Sequence, residues 1–212
     1  HSVIDYYETE QLIATIEAKG CTPYVRVGGN DALILKRVLD AGAKGVIVPR
    51  INSKEDAQKA VGAVKYPPVG VRGVGLARAQ GYGFDFDKYA EKVNDETKVI
   101  AQIEHINAVN HLEEILSVDG IDGTIIGPYD LSGSMGKPGK YEDSEVYQVL
   151  ERYEGISKKV GKPMGYHVIE PDYRLVLEKI EARYSFIAFS LDTLFLGRMC
   201  RQQLEELKSN IK

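Results

Sequence analysis

Six apolar runs of five or six residues recur along this chain: Thr22–Val27, Gly45–Pro49, Val99–Glu104, Thr124–Pro128, Pro163–His167 and Ser185–Ser190. Runs this short and apolar read as strands buried on both faces. Between them lie segments with apolar residues at helical spacing, such as Leu33, Ile34 and Val38 within 30–41 and Val109, Leu112, Ile115 and Leu116 within 107–118. Such strand-helix alternation argues for a parallel sheet with helices outside it.

An open doubly wound sheet and a closed eight-stranded barrel both satisfy that pattern. No run is followed by GxGxxG or GxxxxGK[ST], so the nucleotide-binding open sheets lose their usual support. A (β/α)8 barrel needs about 250 residues, roughly 30 per strand-helix unit. Six units in 212 residues therefore read as an α/β TIM barrel lacking its first two strands, in a single domain over 1–212. The chain starts at His1 rather than methionine, in keeping with residues further upstream. One connection, 66–83, is long and rich in glycine and proline, and such segments are usually functional or mobile. It is expected to climb to the upper rim, and either brings Arg72 or Arg78 near a site or leaves them solvated on an outer loop.

Net charge is -4, with acids and bases interspersed. Without a basic stripe or an aromatic-rich RNA-binding signature, nucleic acid is not an expected partner. Cys21 and Cys200 lack CxxC spacing, which favours free thiols in a reducing compartment, and the chain reads as cytoplasmic. No apolar stretch reaches the roughly 18 residues that a membrane span requires. A C-terminal helix of about 193–212 carries Leu194, Phe195, Leu196, Met199, Leu204 and Leu207. That stripe exceeds what one barrel face needs and points to packing on another subunit of a homo-oligomer.

Barrel enzymes place their chemistry at the C-terminal ends of the strands. Lys44, Lys98 and Lys162 precede their strands, whereas Arg26, Gln102, Glu104, Asp130, His167 and Asp192 lie at or beyond the downstream ends. A Schiff-base aldolase needs a lysine in the site, and no strand supplies one. Gln102 and Glu104 stand two apart on one strand and so share a face. With Asp130 they offer hard oxygen ligands suited to Mg2+ or Mn2+; zinc would want nitrogen and sulfur spacings that are absent. Alternatively, both carboxylates cap helices at strand-helix turns. Arg26 either sets a permanent cation beside a metal or forms a buried structural ion pair. Tyr129 to Ser132 open a turn whose free N–H groups suit a substrate carboxylate. His105 and His111 read as structural, and His167 as a residue at the mouth.

The runs Pro23-Tyr-Val-Arg26-Val, Gly45-Val-Ile-Val-Pro49, Tyr66-Pro-Pro-Val-Gly-Val-Arg72-Gly-Val-Gly, Gln102-Ile-Glu104 and Asp119 to Gly136 together resemble the HpcH/HpaI aldolase family. Its members are class II pyruvate aldolases acting on 2-keto-3-deoxy sugar acids and 4-hydroxy-2-oxo-heptanedioate. The resemblance covers essentially the whole chain. It implies a lyase, dependent on Mg2+, Mn2+ or Co2+, that reversibly cleaves a 4-hydroxy-2-oxo acid to pyruvate and an aldehyde through a metal-stabilised enolate. Glu104 and Asp130 match the family's metal ligands, with Gln102, Tyr129 and Asp130 beside the substrate. Arg26 matches the arginine that stabilises the enolate. His1-Ser-Val-Ile-Asp falls where the family's catalytic histidine stands, which makes His1 the general base, with its acidic partner upstream. Tyr129 stands where the family often has a small residue. The resemblance also implies homo-oligomers, often hexamers. Rival readings on the same scaffold are oxaloacetate decarboxylation, another metal-enolate carbon–carbon lyase, and a catalytically silent barrel that binds oxo acids.

Overall fold

The computed structural model describes residues 2–211. Its elements follow in the order α1 (Tyr6–Ala18), β1 (Tyr24–Arg26), α2 (Ala32–Asp40), β2 (Gly45–Val48), α3 (Lys54–Val64), a 3-10 segment (Arg78–Gly83), α4 (Phe86–Glu96) and β3 (Lys98–Ile103). The second half continues with α5 (Ile106–Asn110), α6 (Leu112–Ser117), β4 (Gly123–Ile126), α7 (Pro128–Ser134), α8 (Ser144–Val160), β5 (Met164–Val168), α9 (Tyr173–Glu181), β6 (Phe186–Phe189) and α10 (Asp192–Asn210). Each of the six apolar runs forms a strand, with ends shifted by at most two residues.

All strands pair in parallel, each with the next, in the order β1-β2-β3-β4-β5-β6. Strand twist curls such a sheet. Its curvature shows in Tyr24 on β1 and Phe186 on β6, whose ring centroids lie 5.6 Å apart although they belong to the first and last strands. The sheet is therefore a six-stranded half-barrel with helices on its convex side. Glycines make room inside it: a Cβ on Gly45 would run into the Tyr24 ring, and one on Gly165 would meet Phe186 Cδ1 at 3.0 Å.

The outward faces of the strands build the main core. Val46, Val48, Val99, Ala101 and Ile103 are buried against Leu35 and Leu39 of α2, Ala57, Ala60 and Val64 of α3, and Ile115 and Leu116 of α6. Tyr153 of α8 reaches inward from the same layer, its hydroxyl 2.8 Å from Thr124 Oγ1 and 3.4 Å from the Gly165 carbonyl. Helix starts are set locally by side-chain caps at Asp5, Asp31, Ser53, Asp143 and Asp172. α8 stops at Gly161, whose φ of 75° closes the helix in the left-handed region.

Two expectations need correction. The helical pattern over 107–118 divides into α5 and α6 at His111. The His111 Nδ1 lies 2.9 Å from the Asn107 carbonyl, a local side-chain bond of the kind that competes with a continuous helix. In the 66–83 connection, neither arginine reaches a site; Arg72 is buried and Arg78 is half-buried, and both are tied to other segments. Arg72 is 2% exposed, with Nη2 donating to Asp40 Oδ1 at 2.6 Å and its guanidinium 4.8 Å from the Tyr66 ring centroid. Arg78 donates to the Ala41 carbonyl at 3.0 Å and to Glu17 at 2.6 Å. Asp40, Ala41 and Glu17 lie at the C-terminal ends of α2 and α1, so these arginines pin the connection to the lower rim.

The lysines ahead of the strands serve the same rim. Lys98 pairs with Asp122 at 3.2 Å, and Lys162 Nζ donates to the Ile121 carbonyl at 2.6 Å. α10 contributes no buried residue, and Leu196, Met199, Leu204 and Leu207 are each more than half exposed. Among the described residues no helix is long and apolar enough to cross a membrane. Cys21 and Cys200 are free and exposed.

Candidate active site

At the C-terminal ends of β1, β3 and β4, four of the expected side chains come together. Arg26 and Tyr24 share a face of β1, and Tyr24 meets Phe186 across the interior, so Arg26 points inward. Its Nε donates to Gln102 Oε1 at 3.1 Å. That bond occupies the Gln102 oxygen and leaves the Nε2 amide free to donate elsewhere.

Glu104 follows β3 by one residue, and Asp130 lies in the first turn of α7 after Pro128. Neither caps a helix. His105 is the N-cap of α5, its Nδ1 accepting from the Asn107 N–H at 3.1 Å, and Gly127 occupies the N-cap position of α7. The capping alternative is therefore set aside by the geometry.

Gly127 is the hub of the arrangement. A Cβ there would sit 3.4 Å from Gln102 Nε2, 3.4 Å from Glu104 Cβ and 3.8 Å from Asp130 Oδ2. The absent side chain leaves a small cradle walled by the Gln102 amide, the Glu104 Cβ and an Asp130 carboxylate oxygen. Burial holds the Glu104 carboxyl above the ordinary range; the Arg26 charge opposes this, the Asp130 charge adds to it, and the Arg50 N–H and charge again oppose it. The partly buried Glu104 and the exposed Asp130 carboxylate beside it repel each other until a proton or cation lies between them.

The sequence reading did not anticipate Arg50. Its backbone N–H donates to Glu104 Oε1 at 3.0 Å, and its φ of 57° lies in the left-handed region that non-glycine residues avoid. Strain of this kind collects where a backbone group must be aimed at a functional atom. No residue type announces it, because the requirement falls on the main chain.

The other expected residues divide. Tyr129 is 62% exposed beside Asp130, with its ring 3.3 Å from the position of a Cβ on Gly139. Among the described residues Asp192 engages only its own neighbour, accepting from the Thr193 N–H at 2.7 Å. His1, expected as the general base, lies outside the described residues. Among the described residues no cluster of three or more histidine, cysteine or acidic side chains assembles.

The class defined by this half-barrel and its acidic upper rim also emerges from comparison with known proteins. Residues 4–174 match the HpcH/HpaI aldolase/citrate lyase family, and the chain belongs to that family. It is an enzyme of the carbon–carbon lyase class. A hydroxypyruvate/pyruvate aldolase of Sagittula stellata is 39% identical over 197 residues, covering 92% of this chain and 77% of the relative. A 2-keto-3-deoxy-L-rhamnonate aldolase of Klebsiella pneumoniae is 36% identical over 214 residues, covering 99% and 77%. The crystal structure of a family protein from Burkholderia cenocepacia superposes with a TM-score of 0.90 at 31% identity, covering 96% of this chain and 81% of that one.

Proposed function

We propose that this protein is a divalent-metal-dependent aldolase that joins pyruvate to an aldehyde, and cleaves the resulting 4-hydroxy-2-oxo acid in reverse. The observation that carries this reading is the cradle at Gly127, where Gln102, Glu104 and Asp130 converge next to Arg26. The relatives' names, a pyruvate aldolase and 2-keto-3-deoxy acid aldolases among them, support the same chemistry.

The donor set fits a hard divalent cation such as Mg2+, Mn2+ or Co2+. Two carboxylates supply oxygen ligands and leave the remaining positions to water and substrate. The upward displacement of the Glu104 carboxyl marks charge that a cation would relieve. Glu104 and Asp130 would hold it, with the Arg50 N–H fixing one Glu104 oxygen. When bound, the cation supplies Lewis-acid stabilisation of the enolate formed from the 2-oxo acid.

The chain's own residues do the rest. Arg26, oriented by Gln102, sets a permanent positive charge where the enolate oxygen develops. The free Nε2 of Gln102 donates to the oxo-acid carboxylate, and Tyr129 walls the outer side of the pocket. His1, assigned from the family pattern alone, takes the proton from the 4-hydroxyl in cleavage and returns it in addition. In the addition direction, pyruvate loses a methyl proton, its C3 bonds to the aldehyde carbon, and the aldehyde oxygen gains a proton. The exposed stripe of α10 supports a homo-oligomer, and the free cysteines support a reducing compartment.

The test is release of pyruvate from 4-hydroxy-2-oxo acids by the full-length protein, followed with a coupled dehydrogenase. Release with Mg2+, Mn2+ or Co2+, and its loss on chelation, is the expected result. Absence of release with all three ions overturns the reading.

A further inference from the structure

We infer that His167 is a specificity residue, whose imidazole bonds a hydroxyl on the acceptor-derived half of the substrate. This rests on the aldolase reading and deepens it. Nε2 of His167 is shielded from solvent and has no hydrogen-bond partner among the described residues. A buried polar atom left in that state costs stability and calls for an explanation.

Strand register places the ring. Phe186 faces the interior, since it meets Tyr24 there, and Gly165 is its partner on β5. His167, two residues further on, shares that inward face, while Tyr166 turns outward against Tyr184. Its height follows from the stagger between alternate strands. Arg26 is in register with Ile47, and Ile47 with Ile100, yet the Arg26 side chain bonds Gln102, two residues higher on β3. Gln102 is in register with Ile125, and Ile125 with Gly165. The same two-residue step on β5 leads to His167. In barrels, side chains from alternate strands form such layers. Arg26, Gln102 and His167 thus make one polar layer, above a layer of Tyr24, Ile100 and Gly165.

Within that layer, the β1 to β4 side carries the charged groups that grip the oxo acid. His167 stands in the same layer on β5, the strand next to β4, and on this reading the carbons contributed by the aldehyde lie on that side. An imidazole suits a hydroxyl, because its ring nitrogens can donate to it or accept from it.

The experiment compares kcat/KM for addition of pyruvate to glycolaldehyde and to acetaldehyde, which differ by one hydroxyl, in wild type, His167→Leu and His167→Gln. The glycolaldehyde-to-acetaldehyde ratio is expected to fall about tenfold in His167→Leu and to recover in part in His167→Gln. Being a ratio, it does not depend on how much of a variant folds. A ratio unchanged in His167→Leu, with the wild type active, overturns this inference alone. A wild type inactive on both aldehydes with metal present overturns the aldolase reading, and this inference with it.

Discussion

In a Glu104→Gln variant, metal-dependent cleavage is expected to fall by about 10²- to 10³-fold or more, while the metal-free protein becomes more stable. The two effects share one cause. Glu104 is held in a partly buried cradle facing Asp130, and its carboxyl sits above the ordinary range. A group whose folded-state value is raised binds more protons folded than unfolded in the window between the two values. Stability of the metal-free protein therefore declines as pH rises through that window, and stays lower above it. Glutamine removes the charge and the decline with it. The variant should melt higher than wild type at neutral pH without metal, by a few degrees, and gain nothing from added Mn2+. Thermal melts with and without Mn2+ at several pH values check both halves. In the wild type, metal affinity should weaken as pH falls through the raised value, because the proton competes for the same oxygen. A variant less stable than wild type at neutral pH in the metal-free state would show that Glu104 is a structural anchor.

The second large effect is on stability alone. Arg72→Met should cost about 3 kcal/mol or more, the usual result of removing one partner from a buried ion pair. The Arg72 side chain is fully enclosed, and Asp40 keeps only 15% of its own side-chain exposure. Besides Asp40, the guanidinium bonds the Tyr89 hydroxyl at 3.2 Å and stacks on the Tyr66 ring. Without it, Asp40 retains only a 3.5 Å contact from Gln80 Nε2. Arg72→Lys should recover little, because an ammonium cannot reproduce the planar fork or the stacking. Urea unfolding measures both variants. A loss below about 1 kcal/mol for Arg72→Met would mean that the pair behaves like a solvated surface bridge.

These two sites also mark how far the amino-acid sequence could be read. The strands were legible because their runs are short and largely apolar, with the central ones covered on both faces, so six runs stand out against their amphipathic surroundings. Glu104, Asp130, Gln102 and Arg26 were legible because strand ends of a parallel sheet share a rim, and alternation fixes which side chains share a face. Arg72 was not. An arginine in a glycine- and proline-rich stretch reads as solvated or functional, and its burial depends on Asp40 of α2 and Tyr89 of α4 meeting Tyr66 of its own stretch. Arg50 was illegible for a different reason, since its contribution is a main-chain N–H aimed by a positive φ. The inward direction of His167 follows from period-two alternation, but that its Nε2 is buried without a partner is a property of the packed interior. His1 lies outside the described residues, so its assignment still rests on the pattern around it.

The central claim is that Glu104 and Asp130 hold a divalent ion that stabilises the pyruvate enolate next to Arg26. Deuterium exchange into the methyl group of pyruvate in D2O, followed by proton NMR with the full-length protein and no aldehyde present, tests it most directly. The account predicts exchange that requires Mn2+ or Mg2+, stops on chelation and is lost in Glu104→Gln. Exchange that continues at the same rate after chelation, or in Glu104→Gln, would contradict it.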